Sequence, residues 1–252
     1  MITSKRFHPG FWALVEVGVL FLPAIPAYLW VWPNLEGRPL QIADIITHLY
    51  VLVGTLFIGL RRWNWHQLGI NMQGFWLSLI FGGIMILGRS LVILSVRWDL
   101  PVPELTFIQL AGDFLYYFAV IGLVQELLFR GLVYRAFEDW LGTRWAIWGS
   151  SMGFMLWHVF GWGPLVGAAM ILYGLIFALM RFRGGGILGL VIVHGAMDFL
   201  GALMLPDLDV LSLGRPSIPY PVFMYLGLAL IVLPPIVLWL FYPQLKRRRN
   251  HD

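Results

Sequence analysis

The stretch Leu105 to Val133, LTFIQLAGDFLYYFAVIGLVQELLFRGLV, is a long apolar run with Gln125, Glu126 and Arg130 set inside it. It exceeds the roughly 20 helical residues that span a bilayer core, which predicts a helix that tilts or protrudes into the interface. Ionisable side chains are costly in hydrocarbon, so a Glu and an Arg at this depth mark a functional site. Seven further apolar runs, at about 11–32, 41–60, 73–95, 145–161, 164–181, 185–205 and 219–242, share the chain with it. The fold class expected is all-α, a polytopic membrane bundle of about eight transmembrane helices.

Composition agrees with that setting: 60% of the residues are hydrophobic, 12% are charged and the mean hydropathy is +0.80. A soluble domain needs more polar surface. Eight spans of roughly 20 residues fill the length, so residues 1–252 are expected to form a single transmembrane domain. The chain has no cysteine, which excludes disulfides, thiolate chemistry and Cys-ligated metal. The first run follows Lys5 and Arg6, but its length, Pro23 and Pro26, and the lack of a small-x-small cleavage site make it a retained helix rather than a secretory signal.

Basic residues alternate along the connections. Lys5 and Arg6, Arg61 and Arg62, Arg135 and Arg144, Arg181 and Arg183, and Lys246 to Arg249 fall on one side. The other side carries Glu36, Arg38 and Asp44, then Arg97, Asp99 and Glu104, then no charge, then Asp207, Asp209 and Arg215. The positive-inside rule places both termini in the cytoplasm of a multi-pass cell-membrane protein. The segment Arg61-Arg62-Trp63-Asn64-Trp65-His66-Gln67-Leu68-Gly69 mixes cations and aromatics as a headgroup-level anchor does, and the basic tail reads as lipid contact. Membrane lipids are the partners implied, with no nucleic acid. Gly184 to Gly186 form a short connection, and Pro234-Pro235 predict a kink in the last helix.

The chemistry lies in spans four, five and seven. Glu126 and Arg130 share a helix face at i,i+4, as do Phe154 and His158, and His194 and Asp198. A structural ion pair accounts for the first alone, and a hydrogen-bonded helix-end histidine accounts for His158 alone. Together, two imidazoles and two carboxylates on three helices suffice to bind a metal or to activate water directly. At 1.5 Å per residue, Glu126 lies roughly 10 Å, His194 roughly 15 Å and His158 roughly 20 Å from the cytoplasmic side, which requires a water-accessible cavity.

Gln125 to Arg130, Phe154-x-x-x-His158 and His194-x-x-x-Asp198 resemble, in order and spacing, the signatures of the CAAX prenyl protease and bacteriocin-processing (CPBP, or Abi) family of intramembrane metalloproteases. The resemblance covers about 101–205. It implies a membrane endopeptidase acting on a membrane-associated peptide or a lipidated, for example prenylated, protein. It also implies catalytic roles for Glu126, His158, His194 and Gln125, with Asp198 and Arg130 in support. Zn2+ or another divalent metal on Glu126, His158, His194 and Asp198 is one version; a metal-free Glu/His activation of water is the other. Asp198 stands where the family most often has asparagine.

The family motif usually begins with two glutamates, and the first, generally the water activator, falls on Gln125. An amide positions water but does not take its proton as a carboxylate does. Three readings follow: Glu126 has assumed the base role, the homologue is impaired and binds a peptide or partner as a scaffold or immunity protein, or the glutamine replaces a native glutamate. A proton or solute transporter is a further alternative for buried Glu, His and Asp, but no inverted repeat is evident.

Overall fold

The computed structural model describes residues 8–27, 31, 34–96, 106–204 and 221–241. Eight helices follow in order: α1 (Pro9–Phe21), α2 (Gly37–Leu60), α3 (Phe75–Val96), α4 (Phe107–Leu141), α5 (Thr143–Trp162), α6 (Pro164–Gly184), α7 (Leu188–Met204) and α8 (Pro221–Phe241). No strand occurs among the described residues. A helical turn at Ala24–Pro26 extends α1. The expected basic residues Lys5, Arg6 and Lys246 to Arg249, and the acidic connections around 97–104 and 207–215, lie outside the described residues.

Six helices are long and apolar enough to cross a membrane: α1 with its extension, α2, α3, α4, α6 and α8. The other two expected spans are present as helices. α7 is 17 residues long, and α5 carries Ser150 and Ser151, both buried and donating to the Ile147 carbonyl. Both turn polar groups inward, Ser150 and Ser151 on α5 and His194 on α7, while Trp145, Trp148 and Leu156 of α5 stay exposed on the outer face. The outward faces are apolar, with Phe57, Trp76 and Phe107 largely exposed. Such side chains would be a liability in water but suit a lipid solvent.

Local sequence sets the breaks. Thr106 opens α4 with a capping box, its Oγ1 accepting from Gln109 N while Gln109 Oε1 accepts from Thr106 N. Gly142 and Gly163 separate α4, α5 and α6 at φ of 87° and 85°, a region that L side chains avoid. The connections are therefore short enough to force antiparallel packing. α8 runs through Pro234 and Pro235, the expected kink site, as one helix. α2 begins at Gly37, which draws Arg38 and Asp44 out of the predicted loop and into the helix. Asp44 there accepts from Tyr116 Oη, and its backbone carbonyl lies 3.0 Å from Nδ1 of the buried His48.

α4 extends beyond the predicted 105–133 and is not a uniform α-helix. Tyr116–Gly122 and Leu127–Val133 are π-helical, with the α-helical stretch Leu123–Glu126 between them. π-turns shift the residues that follow relative to a regular helix and recur at functional sites. The first π-turn packs on α7, where two glycines meet: a Cβ on Gly122 would stand 2.7 Å from the Val191 carbonyl, and one on Gly195 2.8 Å from Cα of Phe118. Small residues permit this backbone approach, as between membrane helices generally.

The 61–74 connection also differs from a simple headgroup anchor. Trp65 is half exposed, but Trp63 and Leu68 are buried in the core with Val51, Ile58, Leu128 and Leu132. Arg181, expected among the interfacial cations, is buried beneath this connection. Its guanidinium donates to the carbonyls of Arg130 at 3.1 Å, Gln67 at 3.2 Å and Gly185, tying α4, the connection and the α6–α7 turn together.

Gly122→Ala is expected to destabilise the bundle by about 1–3 kcal/mol through overpacking against backbone, read as a lower Tm in detergent. Gly112→Ala on the same helix, where a Cβ meets nothing within 4 Å, is expected to leave Tm unchanged or raise it slightly.

Candidate active site

Glu126 closes the short α-helical stretch between the two π-turns of α4 and is fully buried. Its Oε1 faces Nδ1 of His194 at 2.7 Å and accepts from Nη1 of Arg130 at 3.1 Å. On the other side of His194, Nε2 meets Oδ2 of Asp198 at 3.3 Å. Asp198 Oδ1 in turn lies 3.7 Å from Nη1 of Arg89 on α3. Arg130, Glu126, His194, Asp198 and Arg89 thus form one line of charged and titratable groups across α4, α7 and α3.

The two imidazole contacts constrain its charge. Each His194 nitrogen faces a carboxylate oxygen, and each such contact requires a proton between the two atoms. Whether those protons sit on nitrogen or oxygen, the imidazole and the two carboxylates together carry one negative charge. The two guanidiniums leave the line with one net positive charge.

His158 is held differently. Its Nδ1 lies 2.9 Å from the Phe154 carbonyl, and a carbonyl only accepts, so Nδ1 carries the proton. In the neutral ring Nε2 is then the lone-pair nitrogen. The Phe154 ring packs 4.4 Å from the His158 ring and 5.7 Å from the His194 ring, and the Arg130 guanidinium stacks on it at 4.3 Å. Arg130 also donates to the Gly174 carbonyl at 3.3 Å and lies 5.2 Å from the Phe177 ring.

A cavity of about 80 Å³ opens on this arrangement, walled by Arg89, His158, Tyr173, His194 and Asp198 among Phe154, Met170, Phe177 and Met197. One buried water needs roughly 10–15 Å³, so the cavity has room for several. His158, His194 and Asp198 share its wall. Glu126 does not, which corrects the expectation of a cavity lined by Glu126 with water held between it and His158. The π-turns and the Gly122–Gly195 approach aim its carboxylate at α7, and it reaches the cavity only through His194. Gln125 is likewise buried away from the wall, with Oε1 unpartnered among the described residues.

The donor set does not fit a divalent metal. Among the described residues no three His, Asp or Glu side chains are grouped to hold one, and both nitrogens of His194 are turned to carboxylates.

Residues 107–200 match the family model of Rce1-like proteins, type II CAAX prenyl endopeptidase Rce1-like. The core of this chain is thus similar to the Rce1-like CAAX-protease family. No curated protein and no solved structure matches the chain. The Rce1-like region runs from the start of α4 through most of α7, so it contains Gln125, Glu126, Arg130, His158, His194 and Asp198, and with its apolar helices the chain is a multi-pass membrane protein.

The sequence reading missed Arg89 and Tyr173 on the cavity wall and the structural role of Arg181. Arg89 was open to detection, since it is a cation inside an apolar span and meets the same criterion that drew attention to Glu126. Tyr173 carries no such signal in an aromatic-rich chain.

Removing one partner of a buried ion pair strands the other charge and costs roughly 3–5 kcal/mol. Arg130→Met is expected to show that loss in detergent unfolding. Adding Glu126→Gln should recover a substantial part of it, and strict additivity of the two losses would disprove the coupling.

Proposed function

We propose that the chain is an intramembrane endopeptidase that hydrolyses a peptide bond in a membrane-associated peptide or lipidated protein, by direct activation of water at the α5–α7 cavity. The observation that carries this reading is the contrast between two histidines on one wall: His158 presents a lone pair, whereas His194 is locked between two carboxylates. Attack of water oxygen on the scissile carbonyl carbon releases a proton to Nε2 of His158. Breakage of the carbon–nitrogen bond returns that proton to the leaving amine. His194 stands at a fixed position on the same wall, its ring locked by Glu126 and, through Glu126, by Arg130. The likeness of residues 107–200 to type II CAAX prenyl endopeptidases supports a membrane-embedded peptide as substrate, and both termini are proposed to be cytoplasmic.

One observation favours a second reading, a binding or immunity scaffold without turnover. Gln125 supplies an amide where a carboxylate base is expected, and it lies off the cavity wall.

Mass-spectrometric detection of peptide cleavage in reconstituted membranes separates the two. Cleavage by the chain itself, reduced on the order of 10²–10⁴-fold in His158→Gln, is the expected result. Cleavage that appears only after Gln125→Glu would identify an impaired peptidase, and none in either form would support the binding scaffold.

A further inference from the structure

Arg89 lies outside the Rce1-like region, on α3, yet it lines the cavity. We infer that Arg89 forms a subsite for a carboxylate group of the bound peptide, beside the reacting histidines. The inference rests on the peptidase reading for the identity of the ligand but not for the existence of the anion site.

Three observations lead to it. Arg89 is anchored by α7 through backbone rather than through its ion pair: Nη1 donates to the Met197 carbonyl, while Asp198 stands 3.7 Å away, well beyond the 2.7–2.9 Å of a charge-assisted hydrogen bond. Nε and Nη2 make no hydrogen bond among the described residues, and the side chain keeps 30% exposure. The guanidinium is also given room. A Cβ on Gly201 would lie 2.6 Å from Nη2, so a side chain at residue 201 would push the fork from its present position.

The charge balance supplies the direction. Asp198 is already committed to His194, Glu126 is shared between His194 and Arg130, and the whole line retains one positive charge. His158 is neutral in the tautomer set by Phe154, and Tyr173 is neutral. Arg89 therefore stands on the cavity wall among apolar side chains with its nearest carboxylate engaged by His194, which favours an anion that replaces the lost hydration of the guanidinium, and the planar fork with free donors matches a carboxylate. A peptide offers that group as its C-terminal carboxylate or as an acidic side chain near the scissile bond.

The test uses the full chain in nanodiscs and three short fluorescent peptides of one sequence: the free acid, the C-terminal amide, and an amide bearing one aspartate. Binding is read by anisotropy and cleavage by mass spectrometry. The free acid or the aspartyl amide should bind on the order of ten- to a hundredfold tighter than the plain amide, and which one does so identifies the source of the carboxylate. Arg89→Gln should collapse that ratio to about one, Arg89→Lys should retain part of it, and Gly201→Ala should weaken it by displacing the guanidinium.

Equal binding of all three peptides by the unaltered chain overturns the subsite with no variant required. An equal loss for acid and amide in Arg89→Gln also overturns it, and assigns Arg89 to the reaction centre or to folding. Charge-selective binding without cleavage leaves the subsite standing and removes the peptidase reading, whereas cleavage without charge selectivity does the reverse.

Discussion

A carboxylate with no access to water has to be compensated by its neighbours, and Glu126 imposes that requirement at the centre of the bundle. Its charge is met by Arg130 one turn later and by His194 across the α4–α7 contact. Arg130 in turn needs partners for its own desolvated guanidinium, which the Gly174 carbonyl and the Phe154 face provide. The backbone carbonyl of Arg130 receives Arg181, and Arg181 holds the 61–74 connection and the α6–α7 turn. One buried charge thereby links α4, α5, α6, α7 and a loop, and a change at any link is felt at the carboxylate.

The surrounding architecture follows from the solvent. Apolar residues on the outer faces are satisfied by lipid, so close helix contact has to come from packing and from polar groups rather than from hydrophobic burial. Glycine at the α4–α7 crossing answers that need, and the π-turns allow α4 to present Glu126 to α7 while Leu128 and Leu132 stay in the core with α2. The two interruptions of regular helix bracket the one carboxylate that has to be aimed.

The cavity inherits its chemistry from hydrogen bonds made outside it. A backbone carbonyl turns His158 into an acceptor, and a pair of carboxylates turns His194 into a shared-proton centre. Two identical side chains on one wall are thus given different hydrogen-bonding states by their surroundings. Arg89 brings α3 into this arrangement from outside the Rce1-like region and places a cation on the cavity wall.

Much of this was legible in the chain order. Apolar runs of membrane length dictate helices, because no other open structure satisfies the backbone in lipid. Ionisable residues at i,i+4 inside those runs mark the buried site, because nothing else justifies their desolvation. Residues 125–130, 154–158 and 194–198 were therefore identifiable, and with them the family resemblance. Periodicity could not reveal where Glu126 points, since the two π-turns leave no trace in an apolar pattern and are stabilised by packing at Gly122 and Gly195. Nor could it show that Arg89 and Arg181 are structural partners of distant carbonyls, or that Phe154 sets the His158 tautomer through its backbone. Sequence spacing determines which groups share a helix face; which of them exchange a proton, face water or lie behind another is decided by how close the helices come, and that is a property of the packed bundle alone.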